Sequence, residues 1–193
     1  MNPDTKLDEQ SRDYLLKLAR DSIESAFSKQ EIPFGEVPDQ VKIKSGSFVT
    51  LTMDNRLRGC VGVLEDFEPL YESVAYNARK AAFDDPRFSP LTEEDFSSVS
   101  IEISRIFPMR ILKADGPGEL VTELEEKKCG VLLSSGSFRS TYLPQVWEDL
   151  SDGTEFLSSL CMKAGLPPGA WRESFAQLEF RMYEVESISE EKK

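Results

Sequence analysis

The chain contains no histidine. That gap excludes Ser-His-Asp and Cys-His nucleophile activation, histidine general-base catalysis and every metal site that needs an imidazole. Catalysis is left to Cys, Asp, Glu, Lys, Arg, Tyr, Ser, Thr or backbone groups. A metal would have to be a carboxylate-bound ion of the Mg²⁺ or Ca²⁺ kind, and no metal spacing is visible. Cysteine is almost as scarce: Cys60, Cys129 and Cys161 lie far apart. No Cys-x-x-Cys pair occurs, so a zinc or dithiol motif has no support, and an odd count without a secretion signal points to reduced thiols. No apolar run approaches the ~20 residues that span a bilayer. The opening MNPDTKLDEQ is polar and lacks a signal peptide's apolar stretch, so no membrane contact and a cytoplasmic location are expected. Positive charge is in deficit as well. Lys and Arg number 23 against 35 Asp and Glu, a net charge of −12. Such a surface repels phosphate backbones, which disfavours nucleic acid as a partner unless a local basic groove exists.

What remains is an ordinary globular composition of 193 residues, 39% apolar and 30% charged, enough for one domain or two small lobes. Leu15, Leu18, Ala19, Ile23, Ala26 and Phe27 recur at helical spacing, and KQEIPFGEVPD after them is a loop. SFVTLTM and RLRGCVGVL read as two arms of a hairpin turning at Asp54–Asn55. Pro69 opens a helix over LYESVAYNARKAAF, with Leu70, Val74, Ala78 and Ala81 on one face. DDPRFSP breaks it, and Thr92 with Asp95 forms a cap. VSIEISRI alternates as a strand, FPMRILKADGPGEL is irregular, and GVLLSSGSFRSTYL gives two short strands about a turn. TEFLSSLCMKAG is a helix stopped at Gly165, LPPGAW a rigid loop, and LEFRMYEVESI one last strand before a fraying charged tail. Hairpins with irregularly placed helices predict an α+β fold.

The stretch Leu57–Gly62, LRGCVG, holds an arginine, two glycines and a thiol that do little for packing. In a regular strand Leu57, Val61 and Val63 share the core face, and Arg56, Arg58 and Cys60 share the other. A guanidinium beside a thiol favours the thiolate. Gly59 and Gly62 mark a bulge or a close approach to the backbone. The alternative is that Cys60 is a buried small hydrophobe, turned inward by a bulge at Gly59.

LRGCVG resembles the Leu-Arg-Gly-Cys-Ile-Gly hallmark of the AMMECR family, with Val61 in place of isoleucine. FVTL (Phe48–Leu51), AFDDPRFSPL (Ala82–Leu91), TYLPQVW (Thr141–Trp147) and LCMKAGLPPGAW (Leu160–Trp171) resemble further family blocks in the family's order. The resemblance covers nearly the whole chain. It implies a single two-lobed α+β domain. The larger lobe would take about 1–64, 98–139 and 174–193, with an antiparallel sheet and both termini. The smaller, mostly helical lobe would take about 65–97 and 140–173, with the hallmark near a cleft between them. It implies no particular reaction and leaves the cofactor unknown. Relatives look like partners of Memo-type proteins and radical S-adenosylmethionine enzymes.

Asp84, Asp85 and Arg87 surround Pro86. They read either as ligand holders beside Arg58 or as a self-satisfied turn. Arg56, Arg58, Arg79, Lys80 and Arg87 make a local anion site or a solvated face. Tyr142 offers a hydroxyl to a ligand or satisfies it locally. Trp147, Trp171 and Cys161 read as core, and Cys129 has only Lys127 and Lys128 beside it. The acidic run Glu119–Glu126 is a solvated face or a helix start. Two functions compete. One is an enzyme acting on a small or modified substrate, with Cys60 as thiolate, Arg58 as anion holder and Gly59, Gly62, Asp85, Arg87 and Tyr142 binding the ligand. The other is a non-enzymatic binding or adaptor module with LRGCVG as its hairpin.

Overall fold

The computed structural model describes residues 5–65 and 67–190. The chain opens with α1 (Glu9–Phe27), capped by Asp8, whose carboxylate accepts from the Ser11 N–H. Leu15, Leu18, Ala19 and Ile23 are buried on its inner face, as the spacing predicts. β1 (Ser47–Met53) and β2 (Arg56–Val63) form the antiparallel hairpin. Asp54 and Asn55 sit at φ of 53° and 59°. A two-residue hairpin turn of the I′ type needs that left-handed pair, and these two residues tolerate it. α2 (Leu70–Phe83) follows, then α3 (Glu93–Phe96), whose N-cap Thr92 accepts from the Asp95 N–H. β3 (Ser100–Ile106) pairs antiparallel with β1.

After β3 come β4 (Arg110–Ile111), α4 (Pro117–Lys127), β5 (Gly130–Ser135) and β6 (Phe138–Tyr142). α5 (Gly153–Lys163), α6 (Ala170–Glu173), β7 (Glu179–Tyr183) and β8 (Val185–Ser189) complete the chain. Three readings change. LEFRMYEVESI is two strands rather than one, broken at Glu184 and serving different sheets. LPPGAW includes the first turn of α6, and FPMRILKADGPGEL supplies β4 and the start of α4. The acidic run lies on α4, which buries only Leu120 and Leu124. The tail at 191–193 is outside the described residues.

The chain divides into two compact units, Met1–Phe107 with Glu186–Lys193, and Pro108–Val185. The first has a sheet in the order β2-β1-β3-β8, packed by α1 and α2. Its core joins Leu15, Ile23, Val49, Leu51, Val74, Ala78, Ile101 and Ile103. A buried pair, Arg105 Nη1 to Glu186 Oε2 at 3.1 Å, fixes its ends. Glu186 accepts the Leu7 N–H, and Arg105 donates to the Thr5 carbonyl. The second has a sheet in the order β4-β7-β5-β6 and a core of Leu120, Leu124, Val131, Leu133, Trp147, Phe156, Leu160, Cys161 and Trp171.

These boundaries differ from the expected lobes. Residues 65–97 and 140–173 fall in different units. α2 shares a core with Val49 and Leu51, so it stays with the hairpin that precedes it. Leu157, Leu160 and Cys161 of α5 share a core with Val131 and Leu133 of β5. α+β holds. Among the described residues no helix is long and apolar enough to cross a membrane.

Candidate functional site

The hairpin register decides which side chains meet. From the turn, Met53 faces Arg56 and Thr52 faces Leu57, but the next pair is Leu51 with Gly59. Arg58 is the extra residue of a β-bulge. Beyond it Thr50 faces Cys60, Val49 faces Val61 and Phe48 faces Gly62. The bulge moves Leu57 off the face of Val61, where simple alternation puts it, and leaves it 44% exposed. It does not turn Cys60 inward. Cys60 lies opposite the core face and is half-buried, and the Thr50 hydroxyl donates to its Sγ at 3.3 Å.

The two glycines have packing reasons. A Cβ on Gly59 would sit 2.1 Å from the Ala81 carbonyl oxygen, so only glycine lets α2 lie this close to β2. A Cβ on Gly62 would enter the Phe48 ring at 2.3 Å. Packing alone explains both glycines.

α2 ends at Asp84, and the following loop returns along the edge of the sheet, where β2 has one neighbour. There the buried Asp85 carboxylate accepts the Cys60 N–H at 2.9 Å. It also accepts the Arg87 backbone N–H, Nε and Nη2 at 3.1, 3.0 and 2.7 Å. Arg87 Nη2 in turn donates to the Cys60 carbonyl at 3.3 Å. One ion pair thus satisfies both backbone groups of Cys60 at the sheet edge, in place of a further strand. The Arg87 guanidinium, with the Cys60 and Arg87 N–H groups, holds the Asp85 carboxyl well below the usual carboxylate range against the opposing effect of burial. Asp85 pushes Arg87 up. Asp85 thus spends both carboxylate oxygens on the Arg87 turn and the Cys60 N–H. Arg87, with a side chain 54% exposed, still faces solvent.

Arg58 and Arg87 each lie against the Phe88 ring, with guanidinium carbons 6.0 and 5.5 Å from its centre. Arg58 Nη1 is buried and has no hydrogen-bond partner. Arg79 leaves the expected basic cluster: it donates to the Ser22 carbonyl, Ser25 Oγ and the Gln30 carbonyl, tying α2 to the end of α1. Tyr142 belongs to the second unit, where its hydroxyl bonds Ser159 Oγ at 2.8 Å and its ring meets Phe156 edge-on. That bond satisfies the hydroxyl locally. Cys129 and Cys161 are buried, and burial pushes both thiols up. Trp147 and Trp171 are core residues.

The structure thus gathers Arg58, Gly59, Cys60, Asp85 and Arg87. Two members were not singled out from sequence, Thr50 and Phe88. Thr50 becomes the cross-strand neighbour of Cys60 only through the bulge. Counting back from Asp54–Asn55 without it pairs Cys60 with Val49. Phe88 carried a signal, an aromatic directly after Arg87.

The family model described as AMMECR1 matches residues 16–188. Protein NEQ441 of Nanoarchaeum equitans is 39% identical over 163 residues, 81% of this chain and 89% of that protein. Protein MJ0810 of Methanocaldococcus jannaschii is 35% identical over 161 residues, 82% of this chain and 80% of that protein. The crystal structure of the uncharacterized protein PH0010 from Pyrococcus horikoshii superposes with a TM-score of 0.87 at 31% identity, covering 97% of this chain and 95% of that one. With the hallmark on a bulged hairpin and a family match across both units, the chain belongs to the AMMECR1 family.

Proposed function

We propose that the protein binds an anionic small molecule at the bulged edge of β2, with Arg58 as the primary guanidinium, Arg87 as the second and Cys60 beside them. The observation that carries this is the orphaned Arg58 Nη1. A buried, unpaired charged donor costs at least about 1–3 kcal/mol. Phe88 returns only ~0.5–1 kcal/mol through the cation–π contact. Such a deficit is retained where something else supplies the acceptor, and a carboxylate or phosphate oxygen drawing the guanidinium round does so. Asp85 supports the reading because it spends one face of Arg87 and leaves the other to solvent.

The test is a thermal-shift screen of anionic metabolites followed by calorimetric titration of the hits. Ligands of this site stabilise the native protein by RT ln(1 + [L]/Kd), and Arg58→Ala abolishes the shift. Hits that bind Arg58→Ala as tightly as the parent refute the reading.

A second reading makes the same site catalytic, with Cys60 as the nucleophile toward the bound ligand. The Thr50 hydroxyl on its sulfur favours it, since that bond orients Sγ on the open side of the strand. Cys60→Ser then retains binding and loses turnover. The Memo-type and radical S-adenosylmethionine proteins that the resemblance implies as partners are the first to try in pull-downs, with Arg58→Ala as the control.

A further inference from the structure

We infer that the second unit holds a site for a compact, uncharged apolar molecule carrying an amide carbonyl, in the opening where β4 and β7 part. The site is independent of the anion site, whose residues belong to the first unit. β4 and β7 pair antiparallel, with Arg110 opposite Met182 and Ile111 opposite Arg181. One residue on, the Leu112 N–H donates to the Phe180 carbonyl at 2.9 Å. The return bond, from the Phe180 N–H to the Leu112 carbonyl, is not made, and among the described residues no further rung joins Ala114 to Leu178. Here the two segments line a cavity of about 410 Å³.

The Phe180 N–H carries the inference. In an antiparallel ladder a residue turns its N–H and its carbonyl to the same neighbour, so this N–H points the way its carbonyl does, toward Leu112 and the opening. Phe180 is only 4% exposed, and no described group on that side accepts its N–H. A buried N–H without an acceptor is rare in a folded chain, and it marks a place that a water or a ligand completes. The acceptor the ladder withholds is a peptide carbonyl, and an amide oxygen on a ligand is the same chemical group. The surrounding walls suit an apolar body. Leu112, Leu120 and Phe180 are buried lining residues, and Phe175 and Leu178 join them. The Phe175 and Phe180 rings stack with centres 6.4 Å apart. The charged lining residues Lys113 and Asp115 are exposed, and Glu179 gives Oε1 to Arg181. A charge pressed against the buried walls would lose its water without gaining a partner, which favours a neutral occupant. The volume lies within the roughly 300–1,000 Å³ of small-molecule sites.

Three uncharged probes test this by amide-resolved NMR titration of the isotope-labelled full chain: N-acetylphenylalaninamide, N-acetylglycinamide and propylbenzene. The first joins both features, the second keeps the amides without the apolar body, and the third keeps the apolar body without a carbonyl. The first is expected to bind about tenfold more tightly than either of the others, since each of them forgoes one buried interaction. It should shift the Phe180 amide resonance and slow exchange of that proton with solvent. Ala176 is an exposed lining residue, and Ala176→Trp, which puts an indole into the opening, should weaken binding about tenfold or more. Propylbenzene binding as tightly as N-acetylphenylalaninamide would remove the carbonyl's role and overturn the inference. So would a Phe180 resonance that stays in place, N-acetylglycinamide binding equally well, no binding at all, or undiminished binding to a folded Ala176→Trp. The comparison of probes on the parent protein decides the matter even if that variant misfolds. None of these outcomes depends on Arg58, so the anion reading stands or falls separately.

Discussion

Replacing Gly59 with alanine tests how tightly α2 is seated on the hairpin. The new Cβ would lie 2.1 Å from the Ala81 carbonyl oxygen and 3.0 Å from its carbon. Both are helix backbone, which no rotamer change can clear. α2 must retreat by about 1 Å or β2 must bow outward, and either opens the layer between Ala78, Ala81 and Ala82 and the strand residues Val49 and Leu51. Overpacking of this kind costs about 1–3 kcal/mol, and backbone against backbone belongs at the upper end. We expect Gly59→Ala to lower stability by about 3 kcal/mol, which for a chain of this size is roughly 6–12 °C in Tm. Urea unfolding followed by far-UV circular dichroism measures it. Tryptophan emission gives an internal comparison, because Trp147 and Trp171 both sit in the core of the second unit. The retreat also drags the start of the Asp85 loop, so Asp85 and Cys60 separate and anion binding weakens with stability. A loss under about 0.5 kcal/mol by circular dichroism would show that the helix is not pressed on the strand, and the packing account of the glycine would be wrong.

Asp85→Asn is expected to cost about 2 kcal/mol at neutral pH, through the lost charge on a buried acceptor of four hydrogen bonds, discounted because Arg87 is half exposed. The folded carboxyl titrates below its unfolded value, so its contribution is complete above the ordinary carboxylate pKa and is lost as pH falls through the folded one. The stability gap between parent and variant is therefore flat from about pH 5 to 8 and closes on acidification below about 4. A gap that widens in acid contradicts this. Native alkylation with iodoacetamide, read by mass spectrometry, should label Cys60 alone, since Cys129 and Cys161 are buried with thiols pushed up. Modification of either before Cys60 would count against the described exposure. Arg79→Met should lower Tm without altering anion affinity, since that guanidinium is spent on Ser22, Ser25 and Gln30. Gly118→Ala, within α4 and with nothing near its Cβ position, should stabilise by about 0.5 kcal/mol, and a loss there would expose an unseen contact.

Sequence periodicity found most elements, because α1, α2, α5 and β1 each have one face toward a core and a less buried face opposite. It failed where tertiary structure overrides the local pattern. VESI continues LEFRMY without a break in character, yet the two segments join different sheets, a choice made by pairing partners far off in the chain. The hairpin itself was legible from Asp54–Asn55. Its register was not, because one inserted residue, Arg58, changes every pair beyond it. That shift explains the wrong face given to Leu57 and the missed Thr50. Cys60, Arg58, Asp85 and Arg87 could be named from residue chemistry. Their division of labour could not, since only coordinates reveal that Asp85 spends its oxygens on Arg87 and the Cys60 N–H and so acts as a brace.

The adjacency of β3 and β8 in one sheet has a temporal meaning. Residues 108–185 are contiguous and enclose a core of their own, whereas the first unit lacks an edge strand until Val185–Ser189 has been made. During vectorial synthesis residues 108–185 can complete their own core before the first unit gains its last strand. Until then β3 has an open flank, so a nascent chain stalled before residue 186 would present that strand's free edge to chaperones.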